Sequence, residues 1–340
     1  MKTVEPTVNI LELQTATVEE KNLDFIPRSF DEYIGQSELK TKLAIYTQAA
    51  KMRSEPLDHL LLFGPPGLGK TTLSTIMAQV MDCDIRMCSG PMLERPGDLV
   101  SILSTLEKRS ILFIDEIHRI PSNVEETLYS AMEQFKVDMI IGQGTGAKSI
   151  SLPINPFTLI GATTKSGMLS APLRSRFGIT ERLDFYNEND LQQIIIQSAQ
   201  FLGCELEHTG ALLIAQAARG TPRIAKKLLR RVRDFCQVQK QPANLANVQK
   251  ALAFLGIDQE GLTTIDVLLL KTMITHCNGG PVGLETIAHL IGEDPETVEE
   301  VYEPFLMRKG YLEKTPRGRQ IMPIKLPFLK ARFLGQHTIF

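Results

Sequence analysis

Residues 64–72 are the stretch of this chain whose composition points most directly to chemistry. They read GPPGLGKTT and contain the GxxxxGKT pattern, with Gly64, Gly69, Lys70 and Thr71 at its defined positions. A glycine-rich backbone lets several N–H groups converge on phosphate oxygens, and a helix that follows adds partial positive charge at its N-terminus. We therefore predict that Lys70 reaches the β- and γ-phosphates of a nucleotide and that Thr71 ligates Mg²⁺.

A second stretch, LFIDEIH at residues 112–118, ends an apolar run in two carboxylates. Asp115 is predicted to hold Mg²⁺, directly or through water, and Glu116 to activate the attacking water. Separating the metal carboxylate from the base carboxylate suits in-line hydrolysis of a phosphate ester. Either motif alone could arise by chance, but together and in this order they predict a nucleotide hydrolase.

The elements that must position these residues alternate between strand and helix. Apolar strand candidates lie at 60–63, 111–115 and 157–161, and a helix candidate at 71–81 follows the phosphate loop. This alternation, which continues to about residue 185, predicts a parallel sheet covered by helices. Residues 136–156 carry two β-like runs around a Gly-rich turn and predict a hairpin projecting from the sheet.

The remainder of the chain predicts two smaller units. Residues 187–256 are helical in pattern, and Arg223 begins one helix directly after a Thr-Pro cap signal. From residue 262 onward, three helix candidates at 264–277, 283–290 and 294–309 precede two short strand candidates. Together they predict a small winged helix-turn-helix.

Three further groups of residues have both a functional and a purely structural interpretation, and the residues alone do not decide between the two. Thr164, with Thr163 as the alternative, ends a strand where a γ-phosphate sensor would lie. The arginines of PLRSRFG (172–178) are either an arginine finger for a neighbouring subunit or surface ion pairs. Arg223 is either a phosphate contact or part of a solvated helix face.

The wing carries a cluster of cations around a glycine turn: Lys314, Arg317 and Arg319. Such a tip suits phosphate or minor-groove contacts of DNA, and a solvated hairpin tip is the alternative. Eight Lys/Arg lie in residues 219–240 and eight in 301–340, whereas the net charge of the chain is only −2. Local anionic partners are expected rather than a global attraction to nucleic acid.

Composition sets the broad class of protein. The chain has 340 residues, of which 43% are hydrophobic and 22% charged, as in soluble globular proteins. Five scattered cysteines predict reduced thiols and a cytoplasmic location. No apolar run reaches the length of a membrane span, so no membrane association is expected. Residues 1–24 are acidic and are predicted to be a disordered tail.

Taken together, these motifs resemble the bacterial RuvB family, the AAA+ ATPases that drive Holliday junction branch migration. The resemblance covers residues 25–340 and rests on GPPGLGKTT, LFIDEIHRI, IGATTKSGMLSAPLRSRFG, GTPRIAKKLLRRVRDF, GGPVGL and TPRGR. It implies an α/β fold with a large AAA+ ATPase domain at 25–186, a small helical lid domain at 187–258 and a winged-helix domain at 259–340. It also implies action in recombination and DNA repair.

The same resemblance assigns site residues. ATP phosphates and Mg²⁺ fall to Gly67, Lys70, Thr71 and Thr72, the finger to Arg176 rather than Arg174, and the sensors to Thr164 and Arg223. Residues implied to surround the rest of the nucleotide are Phe25, Ile26, Tyr33, Ile34, Glu133, Gln134, Phe135, Tyr186 and Pro222. DNA contacts map to Lys314 and Arg319. Partners implied are Holliday junction DNA, RuvA at the 136–156 hairpin, RuvC, and further copies of the chain in a hexameric ring.

The chain departs from the family pattern at several positions. Ile26 stands where the family usually has arginine, so a nucleotide contact is lost or is made by Arg28. Lys314 stands where arginine is common, and Pro295 where some members place a basic DNA contact. A clamp-loader-like switch and an ATP-regulated winged-helix regulator are the alternative functions. Glu116 argues against the regulator, because ligand sensing needs no catalytic base.

Overall fold

The computed structural model describes residues 25–141 and 148–334, and the side chains of residues 139–141, 148 and 149 lie outside this description. The predicted tail at 1–24 therefore lies outside the described residues. Two compact units emerge. One comprises the chain up to Cys204 with residues 220–227, and the other comprises residues 205–219 with the chain from Leu228 onward.

The first unit is built on a five-stranded parallel sheet. Its strands are β1 (Leu60–Phe63), β2 (Ile85–Ser89), β3 (Ile111–Asp115), β6 (Thr158–Thr163) and β7 (Ile179–Arg182). Between β3 and β6 the chain forms a separate antiparallel pair, β4 (Lys136–Ile141) and β5 (Lys148–Pro153). The spatial order of the sheet is β2-β3-β6-β1-β7. The predicted parallel sheet and the predicted hairpin pairing are both present.

Helices connect these strands. They are α1 (Ser37–Arg53), α2 (Lys70–Met81), α3 (Pro96–Ser104), α4 (Ser122–Gln134), α5 (Ala171–Ser175) and α6 (Glu188–Phe201). A central strand of a parallel sheet is covered on both faces and so reads as a continuous apolar run. Strand β6 is buried at all six positions and β3 at its first four, which is why both were visible as apolar runs in the sequence.

The order of the strands decides where the chemistry lies. Strand β6 pairs with β3 on one side and with β1 on the other, all in parallel. Their carboxyl ends therefore meet at one edge of the sheet. The phosphate loop leaves β1 there, Asp115 ends β3 there, and Thr163 ends β6 there. Ligands of open α/β sheets bind at this edge.

The hairpin β4–β5 has a regular register, from Lys136 opposite Pro153 to Ile141 opposite Lys148. Its predicted Gly-rich turn at 142–146 and the side chains of Ile140 and Ile141 lie outside the described part. On the returning strand, Ile150 and Leu152 are 48% and 37% exposed. These alternate residues share one face of the strand, so that face presents apolar surface to the outside.

The second unit contains helices followed by a small antiparallel pair. The helices after α6, including one that both units share, are α7 (His208–Ala217), α8 (Pro222–Gln239), α9 (Leu245–Phe254), α10 (Thr264–Cys277) and α11 (Leu284–Ile291). They continue with α12 (Pro295–Thr297), α13 (Glu303–Arg308) and α14 (Leu326–Leu334). Strands β8 (Leu312–Thr315) and β9 (Gly318–Ile321) form the predicted wing.

A π-helical segment, Val298–Tyr302, joins α12 to α13, so residues 295–308 form one helical stretch with a change of pitch. Buried side chains from α10, α11, this stretch, the wing and α14 form one apolar core. The predicted winged helix-turn-helix is therefore present. None of the five cysteines, all of which lie in the described part of the chain, forms a disulfide. Among the described residues, no helix has the length and hydropathy that crossing a membrane requires.

Candidate nucleotide-binding site and winged-helix surface

The phosphate loop adopts a backbone that only glycine accommodates without strain. Gly67 and Gly69 have φ angles of 77° and 103°. A Cβ at Gly67 would lie 2.8 Å from Thr221 Cγ2, and one at Gly69 would lie 2.7 Å from the Tyr33 hydroxyl. The two glycines thus permit both the turn and its close packing. Helix α2 begins at the next residue, so its first N–H groups point toward the loop.

Lys70 lies under the loop rather than in solvent. Its Nζ donates to the carbonyl oxygens of Gly64 and Pro65, at 2.8 and 3.0 Å. Burial lowers the pKa of this ammonium group, and the negative charges of Asp115 and Glu116 oppose the shift. A partly desolvated cation held by backbone oxygens is suited to receive an anion of higher charge, such as a polyphosphate.

The two carboxylates at the end of β3 have different hydrogen-bond partners. Burial raises the pKa of Asp115, while a hydrogen bond from the Glu116 N–H, 3.0 Å from Asp115 Oδ1, opposes the rise. Glu116 itself adopts a left-handed backbone, with φ 48° and ψ 47°. This conformation is uncommon outside glycine and turns the chain sharply after the strand. Both residues nevertheless line the same cavity.

Glu116 contacts the end of the adjacent strand β6. The hydroxyl of Thr164 donates to Glu116 Oε2 at 3.2 Å. Thr163, by contrast, is fully buried, and its hydroxyl lies 2.9 Å from His118 Nδ1. Of the two sensor candidates, it is therefore Thr164 that faces the cavity, and Thr163 that packs behind it.

An aromatic pair supports the phosphate loop from below. The Tyr186 hydroxyl donates to that of Tyr33 at 2.7 Å, and both hydroxyls lie within reach of the Leu68 carbonyl oxygen, at 3.2 and 3.3 Å. Burial raises the pKa of Tyr186 to about 12 and that of Tyr33 well above its usual value. Both phenols remain neutral donors over the physiological range, so this support does not depend on pH.

The segment around Pro222 closes the loop from another side. The N–H of Arg223 donates to the Gly67 carbonyl oxygen at 3.3 Å, and the Lys226 ammonium donates to the Phe25 carbonyl oxygen at 2.7 Å. Arg223 and Lys226 are three residues apart on one helix and so share a face. Both line the same cavity as Lys70, so this helix brings two further cations to the cavity wall.

These parts enclose one cavity of about 420 Å³ in the first unit. Its lining includes most of the predicted nucleotide residues: Phe25, Tyr33, Ile34, Gly67, Lys70, Thr71, Thr72, Asp115, Glu116, Thr164, Tyr186, Pro222 and Arg223. Gly69 of the phosphate-loop pattern also lines it, and further lining residues were not singled out from the sequence: Pro27, Glu32, Pro66, Leu68, Ile194, Gln197 and Lys226. A volume of this size, with polar groups converging at one end, is typical of a small-ligand site.

The wing of the second unit presents its cations differently. Arg319 Nε lies 2.7 Å from Glu303 Oε1, and Lys314 Nζ lies 3.0 Å from Glu303 Oε2. Glu299 Oε1 also contacts both cations, at 2.9 Å from Lys314 and 3.2 Å from Arg319. The side chain of Glu303 is 1% exposed. Two of the three predicted DNA contacts therefore lie in ion pairs with the preceding helical stretch, whereas Arg317 is exposed at the turn.

Comparison with known proteins matches three consecutive parts of the chain to three family models. Three family models match in succession: the P-loop domain of the Holliday junction DNA helicase RuvB over residues 25–183, the RuvB AAA lid domain over 186–258, and the RuvB C-terminal winged helix domain over 259–330. The chain belongs to the RuvB family. The predicted family and fold class are thereby confirmed, and the cavity described above is that of a P-loop AAA+ ATPase.

Individual relatives support the same assignment. A Staphylococcus aureus protein named Holliday junction branch migration complex subunit RuvB is 54% identical over 303 residues, which are 89% of this chain and 91% of that protein. A solved Thermotoga maritima RuvB structure, described as a Holliday junction branch migration motor, is 48% identical with a TM-score of 0.80. It covers 90% of this chain and 98% of its own. A point mutant of that protein gives a TM-score of 0.82.

Several residues that the resemblance assigns to the nucleotide do not line the cavity: Ile26, Glu133, Gln134, Phe135 and Arg176. Ile26 is 43% exposed, and Arg28, the suggested replacement, is also exposed, with its N–H bonded to Glu32 Oε2 at 2.7 Å. Neither side chain lines the cavity. The assignment of these five residues to a nucleotide stays a prediction.

Arg176 lies against helix α4 instead. Its guanidinium carbon is 4.2 Å from the centre of the Tyr129 ring, and its Nε lies 3.1 Å from Glu133 Oε1 without the alignment of a hydrogen bond. Its Nη1 donates to the Pro172 carbonyl oxygen at 2.8 Å. The arginine is therefore held beside Glu133, a residue that the resemblance also assigns to a nucleotide.

One residue beside the site, His118, was not among the candidates named from the sequence. His118 lies in a 3₁₀ turn, Ile117–Arg119, and its side chain is 6% exposed. Its Nδ1 lies 3.2 Å from Glu116 Oε2. The only signal in the sequence was its position two residues after the predicted base.

Proposed function

We propose that this protein hydrolyses ATP in the cavity at the carboxyl edge of its sheet and uses the energy to migrate Holliday junctions. The observation that carries this proposal is the convergence on one cavity of Lys70, the adjacent pair Asp115 and Glu116, and Arg223, which come from three separate parts of the chain. Membership of the RuvB family supports branch migration as the process that consumes the ATP. The protein would act in recombination and DNA repair in the cytoplasm.

The phosphate loop fits a polyphosphate. The positive φ angles of Gly67 and Gly69, and the absence of space for a Cβ, leave backbone N–H groups to face the cavity. In this proposal Gly67, Lys70, Thr71 and Thr72 hold the phosphates of ATP. Lys70 would exchange its two carbonyl partners for phosphate oxygens, which carry full negative charge.

A hydroxyl and one carboxylate on the cavity wall suit Mg²⁺, which is usually bound through one or two protein oxygens plus substrate phosphates. Thr71 and Asp115 supply them, and both line the cavity. When bound, the ion would neutralise phosphate charge and help orient the phosphates. Without a bound ion, burial raises the pKa of the Asp115 carboxyl group. A cation beside this group would favour the ionised carboxylate.

Glu116 is proposed as the base that activates water. Its carboxylate is held at the cavity wall by Thr164, close enough to the phosphate loop for Lys70 to experience its charge. Thr164 is proposed to sense the γ-phosphate through its hydroxyl, and Arg223 to sense it from helix α8. The base end of the nucleotide would then lie among Phe25, Tyr33, Ile34, Tyr186 and Pro222, with Ile26 adjoining.

Arg176 is proposed as an arginine finger that acts on the nucleotide of a neighbouring subunit, together with the segment Glu133, Gln134 and Phe135. The absence of these residues from the lining of their own cavity supports action in trans. Such a head-to-tail arrangement forms a ring when the rotation between subunits closes, and we propose that this ring is a hexamer. The family resemblance, rather than bonding, favours Arg176 over Arg174, since both side chains donate to backbone carbonyl oxygens of their own chain.

The hairpin at 136–156 is proposed as the docking element for RuvA, the partner that the family resemblance implies. Exposed Ile150 and Leu152 on β5 support this assignment, because adjacent exposed apolar side chains favour a protein contact. The wing, with Lys314, Arg317 and Arg319, is proposed to contact the junction DNA. RuvC is proposed to join at the stage of resolution.

The domain boundaries belong to this proposal as well: an ATPase domain at 25–186, a lid at 187–258 and a winged-helix domain at 259–340. Compactness alone divides the chain differently, since residues 220–227 group with the ATPase fold. That grouping reflects the contact of Arg223 with the phosphate loop. We therefore propose residues 187–258 as the lid domain. Within it, the turn that carries Arg223 contributes to the active site of the ATPase domain.

Branch migration of a synthetic four-way junction tests the proposal. With RuvA and ATP, the protein should convert the labelled junction to duplex products, and Glu116→Gln should bind ATP but yield none. ATP hydrolysis on DNA without junction conversion would contradict the motor function. A steady rate of hydrolysis in the absence of any sliding clamp would exclude the clamp-loader alternative.

A further inference from the structure

His118 is a buried titratable residue to which neither the family resemblance nor the mechanism above assigns a role. It follows the proposed base by two residues, and Glu116 and Thr163 approach its ring from two sides. The distances from His118 Nδ1 are 3.2 Å to Glu116 Oε2 and 2.9 Å to Thr163 Oγ1. A residue that only filled space would not need a nitrogen at this point.

The surroundings of the ring fix its orientation. Thr163 is the last residue of β6, is fully buried, and accepts a hydrogen bond from the Lys165 N–H at 3.0 Å. Its oxygen is therefore held in place by the strand end. Nδ1 forms its hydrogen bond with Thr163 Oγ1, and the Glu116 carboxylate lies 3.2 Å from the same nitrogen. A deprotonated Nδ1 would place a lone pair beside this carboxylate, which is unfavourable for two acceptors, so a proton on Nδ1, close to both oxygens, is favoured.

The partners of Glu116 must change when the nucleotide binds. The Thr164 hydroxyl has one proton and donates it to Glu116 Oε2 at 3.2 Å. The same hydroxyl is the proposed sensor of the γ-phosphate, whose oxygens are acceptors. One proton cannot serve both acceptors fully, so binding of the γ-phosphate would weaken the contact between Thr164 and Glu116. His118 would then remain as a partner of the carboxylate.

We propose that His118 is a positioning residue, which orients the Glu116 carboxylate toward the attacking water when Thr164 is engaged by the γ-phosphate. This inference rests on the proposed function, since it takes Glu116 as the base and Thr164 as the sensor. His118 acts only through Glu116 and does not line the nucleotide cavity. Its loss should therefore affect turnover and leave nucleotide affinity unchanged.

The test compares His118→Ala and His118→Asn with the parent protein. For His118→Ala we expect kcat for ATP to fall about 10- to 100-fold, the scale for removing a partner that orients an active-site ligand. The Kd of a fluorescent ATP analogue should stay within about twofold of the parent value, because no phosphate contact is lost. His118→Asn keeps an N–H donor near the position of Nδ1 and should recover part of the lost kcat.

A second buried histidine provides the control for loss of packing. His59 contacts backbone groups, with Nε2 3.1 Å from the Met132 carbonyl oxygen and Nδ1 accepting from the Leu159 N–H at 2.9 Å. His59→Ala should lower the melting temperature without lowering kcat per folded molecule. If His118→Ala lowers the melting temperature as much as His59→Ala and keeps the parent kcat, His118 is a packing residue and the inference is wrong.

A double-mutant cycle separates this inference from the proposed function. In the Glu116→Gln background, single-turnover hydrolysis of radiolabelled ATP should be the same with His118 or alanine, because the histidine acts through the missing carboxylate. An equal loss in both backgrounds would overturn the positioning role. If Glu116→Gln alone retained full turnover, the base assignment itself would fail. An inactive Glu116→Gln beside a fully active His118→Ala would refute only the role of His118.

Discussion

The nucleotide cavity and the wing both present cations where an anion is expected, yet they hold them in opposite ways. Lys70 is bonded to two neutral carbonyl oxygens, so its positive charge is not cancelled by its immediate partners. Lys314 and Arg319 each contact two carboxylates, and Glu303 is buried beneath them. A phosphate entering the cavity replaces neutral partners, whereas a DNA phosphate at the wing must compete with carboxylates.

The difference matches the work that each region must do. A nucleotide has to be bound tightly enough for its charge to be stabilised during hydrolysis, which requires an uncompensated cation in a desolvated place. A motor that moves along DNA must release each phosphate contact again. When Lys314 and Arg319 release a DNA phosphate, they can pair again with carboxylates of their own chain. This competition lowers the affinity of the wing for DNA. The comparison therefore predicts large effects in the cavity and small or opposite effects at the wing.

The largest effect is expected for Lys70→Ala. Among the contacts described, Lys70 is the only side chain that donates to the Gly64 and Pro65 carbonyl oxygens. Its replacement by alanine removes the cation that lies under the phosphate loop. Turnover should fall at least about 10³-fold, the scale of losing a main electrostatic contact to the transition state. Steady-state ATPase assays measure it. Lys51→Ala is the matched control, since Lys51 also donates to a backbone carbonyl, that of Val80, but outside the cavity.

Arg176→Ala should reduce turnover by about 10³-fold while ATP binding persists, as for other arginine fingers. The arginine directly follows helix α5 and packs against helix α4 beside Tyr129 and Glu133, outside the lining of the cavity, so its removal should leave the cavity of the same subunit intact. Mixing with Lys70→Ala subunits should restore part of the activity, because each mutant supplies what its neighbour lacks. Mixtures that never exceed the sum of the separate proteins would contradict action in trans.

Arg319→Ala should act mainly on stability. The buried carboxylate of Glu303 would keep Lys314 but lose the guanidinium at 2.7 Å. The free energy of unfolding should fall by about 1–3 kcal/mol, the range for leaving a buried polar group short of a partner. Urea unfolding measures it. Arg317→Ala is the control, because this exposed turn residue should change DNA affinity and not stability. Equal stability of the two variants would show that the ion pair is not structural.

The smallest effect, and one of opposite sign, is expected for Glu299→Gln. This carboxylate is about half exposed and forms ion pairs with both Lys314 and Arg319. Neutralising it should raise the affinity for duplex DNA about two- to fivefold, in line with the strength of exposed ion pairs. The slope of log affinity against log salt should steepen by up to about 0.9 for one added phosphate contact. Fluorescence anisotropy over a salt series measures both.

A matched control for that prediction lies in the wing itself. Glu313→Gln makes the same change in charge on β8, but the Glu313 carboxylate accepts from Gln320 rather than from Lys314 or Arg319. It should leave the salt slope unchanged. If both variants raised the affinity equally, the cause would be net charge, and the pairing of Glu299 with the wing cations would have no specific role.

Much of the fold could be predicted because its signals are local. Apolar runs at β3 and β6, a glycine loop before α2 and a Gly turn between β8 and β9 each follow from steric and burial rules within a few residues. The pairing order β2-β3-β6-β1-β7 was not predictable in this way. It depends on contacts between segments far apart in sequence, and no local rule orders them.

The amino-acid sequence by itself determined the phosphate loop, the carboxylate pair Asp115 and Glu116, and the winged helix-turn-helix, because each needs particular residue types at fixed spacing. Tertiary structure alone decided that Thr164 and not Thr163 faces the cavity, that His118 contacts the proposed base, and that the wing cations are paired with Glu299 and Glu303. The physical reason is the same in each case. The sequence specifies the type of each side chain, but which partner it contacts depends on how elements distant in sequence pack together.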